Sequence, residues 1–109
     1  ILGGDGKGQD FAPLRDPLWR HARAVALIGR HEETRQALDE LLAGSPFPVA
    51  RHDSLQAATV WAFAHSQAGD TVLLSPACAS LDMFRNYAQR AEVFAAAARE
   101  LAAERGELA

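Results

Sequence analysis

An alternation limits what this chain can fold into more than any other feature. Short apolar runs of strand length are separated by longer stretches with helical periodicity. Ile1-Leu2 reads as the tail of a strand, Ala24 to Gly29 as an apolar run closed by glycine, Phe47 to Arg51 as a short strand introduced by prolines, and Thr71 to Ser75 as a β-rich run stopped by Pro76. Runs this short and apolar, with helices between them, are the mark of buried parallel strands. The order β-α-β-α-β-α-β-α predicts right-handed crossovers and an α/β fold, an open and mostly parallel sheet with helices on both faces.

The helical stretches carry their own punctuation. The first spans about Pro13 to Arg20, with Pro13 tolerable in a first turn and Pro17 limiting regularity. The second spans Glu32 to Ala43, with acids at its start and Gly44 as its stop. The third spans Ser54 to Gln67, with Asp53 and Gln56 at capping-box spacing and Leu55, Ala58, Ala62 and Phe63 on one face. The fourth spans Tyr87 to Glu104, and Ala91, Phe94, Ala98 and Leu101 mark its apolar face. Trp19, Trp61 and Phe63 read as core residues, and Glu100, Glu104 and Arg105 as a solvated face.

Composition excludes several classes of function. The 109 residues suit one domain, which at this size buries roughly two-thirds of the surface its unfolded chain exposes. The net charge is −3 with no Lys/Arg run, so nothing points to nucleic acid or to an anionic membrane. The longest purely apolar stretch, Ala24 to Ile28, is far too short to span a bilayer. A lone Cys78 excludes an internal disulfide and fits a reducing compartment. The chain opens on Ile1 running straight into Gly3-Gly4, as if entering mid-strand, and is expected to be a piece of a longer protein.

Ligands of such sheets bind beyond the carboxyl ends of the strands. Two segments stand there. The first, Gly3-Gly4-Asp5-Gly6-Lys7-Gly8, follows a strand and precedes a helix, and its glycines allow close backbone approach to a ligand. It carries the only lysine of the chain, which suits an anion holder and equally a solvated loop residue. Neither a phosphate-loop nor a dinucleotide-loop spacing fits it. The second segment runs from Ser75-Pro76-Ala77-Cys78-Ala79-Ser80-Leu81-Asp82 to Arg90. Small residues leave a strand there and lead to a helix. Asn86 and Gln89 have capping-box spacing, which makes Tyr87 the first helical residue and offers its backbone N–H to an anion. A second register starts that helix at Asp82. His21, His31, His52 and His65 show no metal-ligand spacing and are expected on the surface, and Cys78 has no partner motif for nucleophilic chemistry.

Together, LGGDGKGQDF and DTVLLSPACASLDMFRNYAQR resemble the two signature stretches of the C-terminal domain in the D-glutamate-adding branch of the Mur ligase family. The resemblance covers the whole chain, the middle in pattern only. It implies a Rossmann-like domain, residues 1–109 being an N-terminally truncated D-glutamate-binding domain. The implied reaction is ATP-dependent amide formation between UDP-N-acetylmuramoyl-L-alanine and D-glutamate through an acyl phosphate, in cytoplasmic peptidoglycan precursor synthesis. By the same resemblance Lys7 holds one D-glutamate carboxylate, Ser80 holds the other, Leu81 lines that pocket, and Tyr87 contributes largely through its backbone. No residue here is implied as a catalytic acid, base, nucleophile or metal ligand. ATP and Mg2+ are implied to bind mainly upstream of Ile1, so the chain alone is expected to be an inactive monomer. Ala91 departs from the family pattern, which has glycine after the arginine. A sibling Mur-type or folylpolyglutamate-type ligase and a stand-alone α/β binding module are the alternatives. The Asp-Asn-Pro-Arg segment of the diaminopimelate- or lysine-adding sibling is absent, as are the acidic cluster and late lysine of a receiver module.

Overall fold

The computed structural model describes residues 1–3, 10–74 and 87–104. Strands β1 (Leu2–Gly3), β2 (Val25–Ile28) and β3 (Val49–Arg51) form one parallel sheet in the order β1-β2-β3. Leu2 stands opposite Leu27, Gly3 opposite Ile28, and Val25 opposite Val49. A 3-10 turn, Ala12–Leu14, runs into helix α1 (Arg15–His21) between β1 and β2. Helix α2 (Glu32–Leu42) connects β2 to β3, and α3 (Leu55–Ala64) and α4 (Tyr87–Glu104) follow.

All four residues of β2 are buried, and their alternation divides the core. Val25 and Leu27 face a cluster with Leu2, Phe11, Leu38, Leu42 and Phe47, onto which α1 packs Leu18 and Trp19. Ala26 and Ile28 face a second cluster with Leu55 and Ala58, onto which Trp61, Leu74, Val93 and Phe94 pack. Helices therefore cover both faces, α1 and α2 on one and α3 and α4 on the other. The α/β expectation is borne out.

Local chemistry sets the helix ends. Pro13 lies in the 3-10 turn and Pro17 in the first turn of α1, where a missing N–H costs no helical bond. His31 caps α2, its Nδ1 accepting from the Thr34 backbone N–H at 3.4 Å. Gly44 takes the stop at φ 76°. Ser54, not Asp53, caps α3, its hydroxyl accepting from the Ala57 N–H at 3.0 Å. That helix ends at Ala64, short of the expected Gln67.

Two further expectations need correction. Thr71 to Leu74 form no ladder with the sheet. The Leu73 carbonyl accepts one bond, from the Ile1 nitrogen at 2.7 Å. In α4 the inward residues are Arg90, Val93, Phe94 and Ala97, while Ala91 and Ala98 are exposed. An alanine-rich helix has no sharp apolar face of its own, so its largest side chains, Val93 and Phe94, decide which side turns inward.

Candidate functional site

The chain steps from β1 to β2 to β3 in one direction across the sheet. It then crosses to the other face through α3 and returns beside β1 at Leu73. The topological switch therefore falls between β1 and Thr71–Leu74, the place where open α/β sheets bind ligands. Three contacts build it. At the amino end Arg23, just before β2, clasps Asp70 through Nε–Oδ2 at 2.5 Å and Nη2–Oδ1 at 3.2 Å. The Arg23 guanidinium, with help from the Gln67 N–H, holds the Asp70 carboxyl below its ordinary range, and the bond to Asp70 raises Arg23. Leu73 then meets Ile1. At the carboxyl end β1 closes on Gly3, with φ 140°, and a Cβ there would stand 1.8 Å from the Ile28 carbonyl oxygen. Only glycine allows this approach between β1 and the backbone of β2.

Lys7, Ser80 and Leu81 lie outside the described residues, as do Cys78, Asn86 and the Asp82 register. Their roots are described. Gly3 precedes the first segment and Leu74 the second, on neighbouring stretches held together by the Ile1–Leu73 bond. Tyr87 is the first described residue of α4, and the choice between the Asn86 cap and the Asp82 register lies outside the described residues. With the Asn86 cap, the Tyr87 donor is carried by the backbone, as at any helix start.

A group that the sequence reading left aside lies at the carboxyl ends of β2 and β3. Gly29, Arg30, Arg35, Arg51, His52 and Asp53 enclose a cavity of about 160 Å³. His52, expected on the surface, is half-buried and stacks on Trp61 with ring centroids 5.3 Å apart. Its Nε2 is enclosed and has no hydrogen-bond partner among the described residues. Burial pushes its imidazole below the ordinary value, against the opposing charge of Asp53. The signal was position: Arg30 and His52 each follow a strand end. A larger cavity of about 390 Å³ lies at the opposite, amino end, between α1 and Asp70–Leu73. It is mostly apolar, and its Arg23 and Asp70 are committed to each other.

Among the described residues no group of three His, Cys, Asp or Glu side chains could hold a metal ion, and no helix is long and apolar enough to cross a membrane. The fold defines an open, parallel α/β domain of Rossmann-like type. Its sequence is similar to the UDP-N-acetylmuramoylalanine–D-glutamate ligases of Burkholderia mallei (strain SAVP1) and Burkholderia pseudomallei (strain K96243), 58% identical to each over 106 residues. These alignments cover 97% of this chain and 20% of each ligase, so the chain spans about one-fifth of the length of the curated relatives it matches. No family model matches the chain. The resemblance carried by the two signature segments is thus borne out over nearly the whole sequence.

Proposed function

We propose that this chain is the C-terminal domain of a ligase that adds D-glutamate to UDP-N-acetylmuramoyl-L-alanine in the cytoplasmic stage of peptidoglycan precursor synthesis. The observation that carries the proposal is 58% identity across 97% of the chain, a span that includes both signature segments. That similarity favours the D-glutamate-adding branch over a sibling ligase or a stand-alone module. The two segments leaving neighbouring stretches at a topological switch support the same reading.

In this reading the L-alanyl carboxylate takes the γ-phosphoryl group of ATP and ADP leaves. The amine of D-glutamate attacks the acyl phosphate, and the tetrahedral adduct collapses to an amide and phosphate. Mg2+ neutralises phosphate charge in such transfers, and both ATP and Mg2+ are assigned mainly to the rest of the polypeptide. This domain positions the nucleophile. D-glutamate carries two carboxylates, so orienting its amine takes two anion holders set apart. The Lys7 ammonium serves one. The Ser80 hydroxyl, beside Leu81 and the Tyr87 backbone N–H, serves the other. Holding the amine against the acyl phosphate is an orientation effect and needs no acid, base or nucleophile here.

Lys7→Ala in the intact enzyme tests the reading. A hydrogen bond to a charged group is worth roughly 1.5–3 kcal/mol. The loss in kcat/KM for D-glutamate, at saturating ATP and nucleotide substrate, is therefore about 10- to 200-fold. Lys7→Arg restores activity only in part, because a planar fork does not replace a compact point charge. A loss below about threefold for Lys7→Ala, on the same energy scale, removes Lys7 from the site.

A further inference from the structure

We infer that the cavity at the carboxyl ends of β2 and β3 is a phosphate-binding site, an inference that does not depend on the carboxylate holders proposed above. Three elements contribute an arginine to its lining: Arg30 from the turn after β2, Arg35 from α2, and Arg51 from the end of β3. Asp53 is the one carboxylate among the described residues of the lining. Cations gathered in a concave space repel one another unless an anion joins them. Arg30 makes an interaction of its own, and for Arg35 and Arg51 the described acids outside the lining answer the repulsion only partly. Arg35 lies 3.9 Å from Glu32, beyond hydrogen-bond length. Arg51 gives its Nη2 to Asp39 at 2.7 Å, but Asp39 stands 61% exposed on the outside. One such bond leaves most of a guanidinium's five donors available.

His52 supplies the independent observation. The residue lines the cavity, and its enclosed Nε2 has no partner among the described residues, a costly state for a buried polar atom. Gly29, at φ 100°, turns the chain tightly from β2 toward α2 and leaves that wall without a side chain. Donors converging from three elements suit the tetrahedral oxygens of a phosphate better than the two coplanar oxygens of a carboxylate. The phosphate can belong to a nucleotide or be free, and the experiment separates these sources.

Inorganic phosphate, ADP and succinate are titrated into the protein at constant ionic strength, following the amide resonances of Gly29 and His52. Saturable shifts with inorganic phosphate, and none with succinate, are expected. Tighter binding of ADP identifies a nucleotide phosphate, and equal binding identifies free phosphate. Arg35→Ala weakens phosphate binding about tenfold. Asp53→Asn, an exposed change that leaves the Ser54 cap in place, tightens it about threefold by removing a like charge. Arg20→Ala, on α1 and outside the cavity, changes net charge equally and shifts affinity less than about twofold. The inference is overturned if phosphate gives no saturable shift, if succinate binds as well, or if Arg20→Ala weakens binding as much as Arg35→Ala does.

Discussion

Strand β2 and the edge beside β1 are built on opposite plans. β2 has a strand on either side and helices above and below, and each of its side chains is at most 4% exposed. Among the described residues the edge beside β1 is held by the Ile1–Leu73 backbone bond, the partly exposed Arg23–Asp70 pair and the close approach of Gly3 to Ile28. Burial makes the first region robust. The second depends on a few contacts whose geometry matters more than their energy. Both signature segments leave from the second region. The difference teaches that burial supplies the frame, while the described roots of the two signature segments, Gly3 and Leu74, lie where a few specific contacts fix the chain.

Substitutions can break or sharpen that contrast, and the largest effect belongs to the core. Leu55 is 0% exposed in the second cluster. Leu55→Ala costs about 2–5 kcal/mol in chemical denaturation. A cost below about 1 kcal/mol would show that this face collapses around the gap. Next comes Gly3→Ala. The strained backbone and the clash with Ile28 together cost about 2–4 kcal/mol. This change also redirects the glycine-rich segment, so in the intact enzyme KM for D-glutamate rises even where the fold survives. An unchanged KM would detach the segment's direction from Gly3.

The third effect is a pH dependence. The folded pKa of His52 lies below its ordinary value near 6.5. As pH falls below that value the unfolded chain takes up the proton first, so stability declines until the folded ring is protonated too. The ring is partly exposed, and the decline stays below about 1 kcal/mol. His52→Gln flattens this part of the curve between pH 7 and 5, measured by urea unfolding. A curve of the same slope in the variant would assign the decline elsewhere. The smallest effect is Leu73→Ser. Leu73 is 64% exposed and contributes through its carbonyl, so stability changes by less than about 0.5 kcal/mol.

The frame was more legible in the sequence than the edge. The run Ala24 to Gly29 announced β2 because a strand buried on both faces needs continuous apolar residues. Glu32, Glu33 and Gly44 bracketed α2 because they answer the helix dipole and the left-handed stop. The cap of α3 was misread by one residue because Asp53 and Ser54 are both capable caps, and only the turn geometry chooses Ser54. The alanines of α4 concealed its inward face. The fourth strand was misread because apolar β-rich composition cannot report how many partners an edge offers. The carboxylate holders rest on their motif, with Gly3, Leu74 and Tyr87 as the described points that frame them. The arginine-lined cavity was illegible for a different reason. Arg30, Arg35 and Arg51 form no local motif and meet only through the parallel pairing of β2 and β3.

The chain has two tryptophans, and the sheet separates them. Trp19 packs edge-on against Phe47 on the α1 face, with centroids 5.5 Å apart. Trp61, on the α3 face, touches the rings of His52 and His65, at 5.3 and 4.1 Å. Each side of the domain thus carries its own fluorophore in a different electronic setting. A charged imidazole drains excited indole, so Trp61 emission follows protonation on its side, while Trp19, beside a hydrocarbon ring, stays insensitive to it. With Trp19→Phe and Trp61→Phe variants, the loosening of the two faces becomes two separate optical signals from one polypeptide.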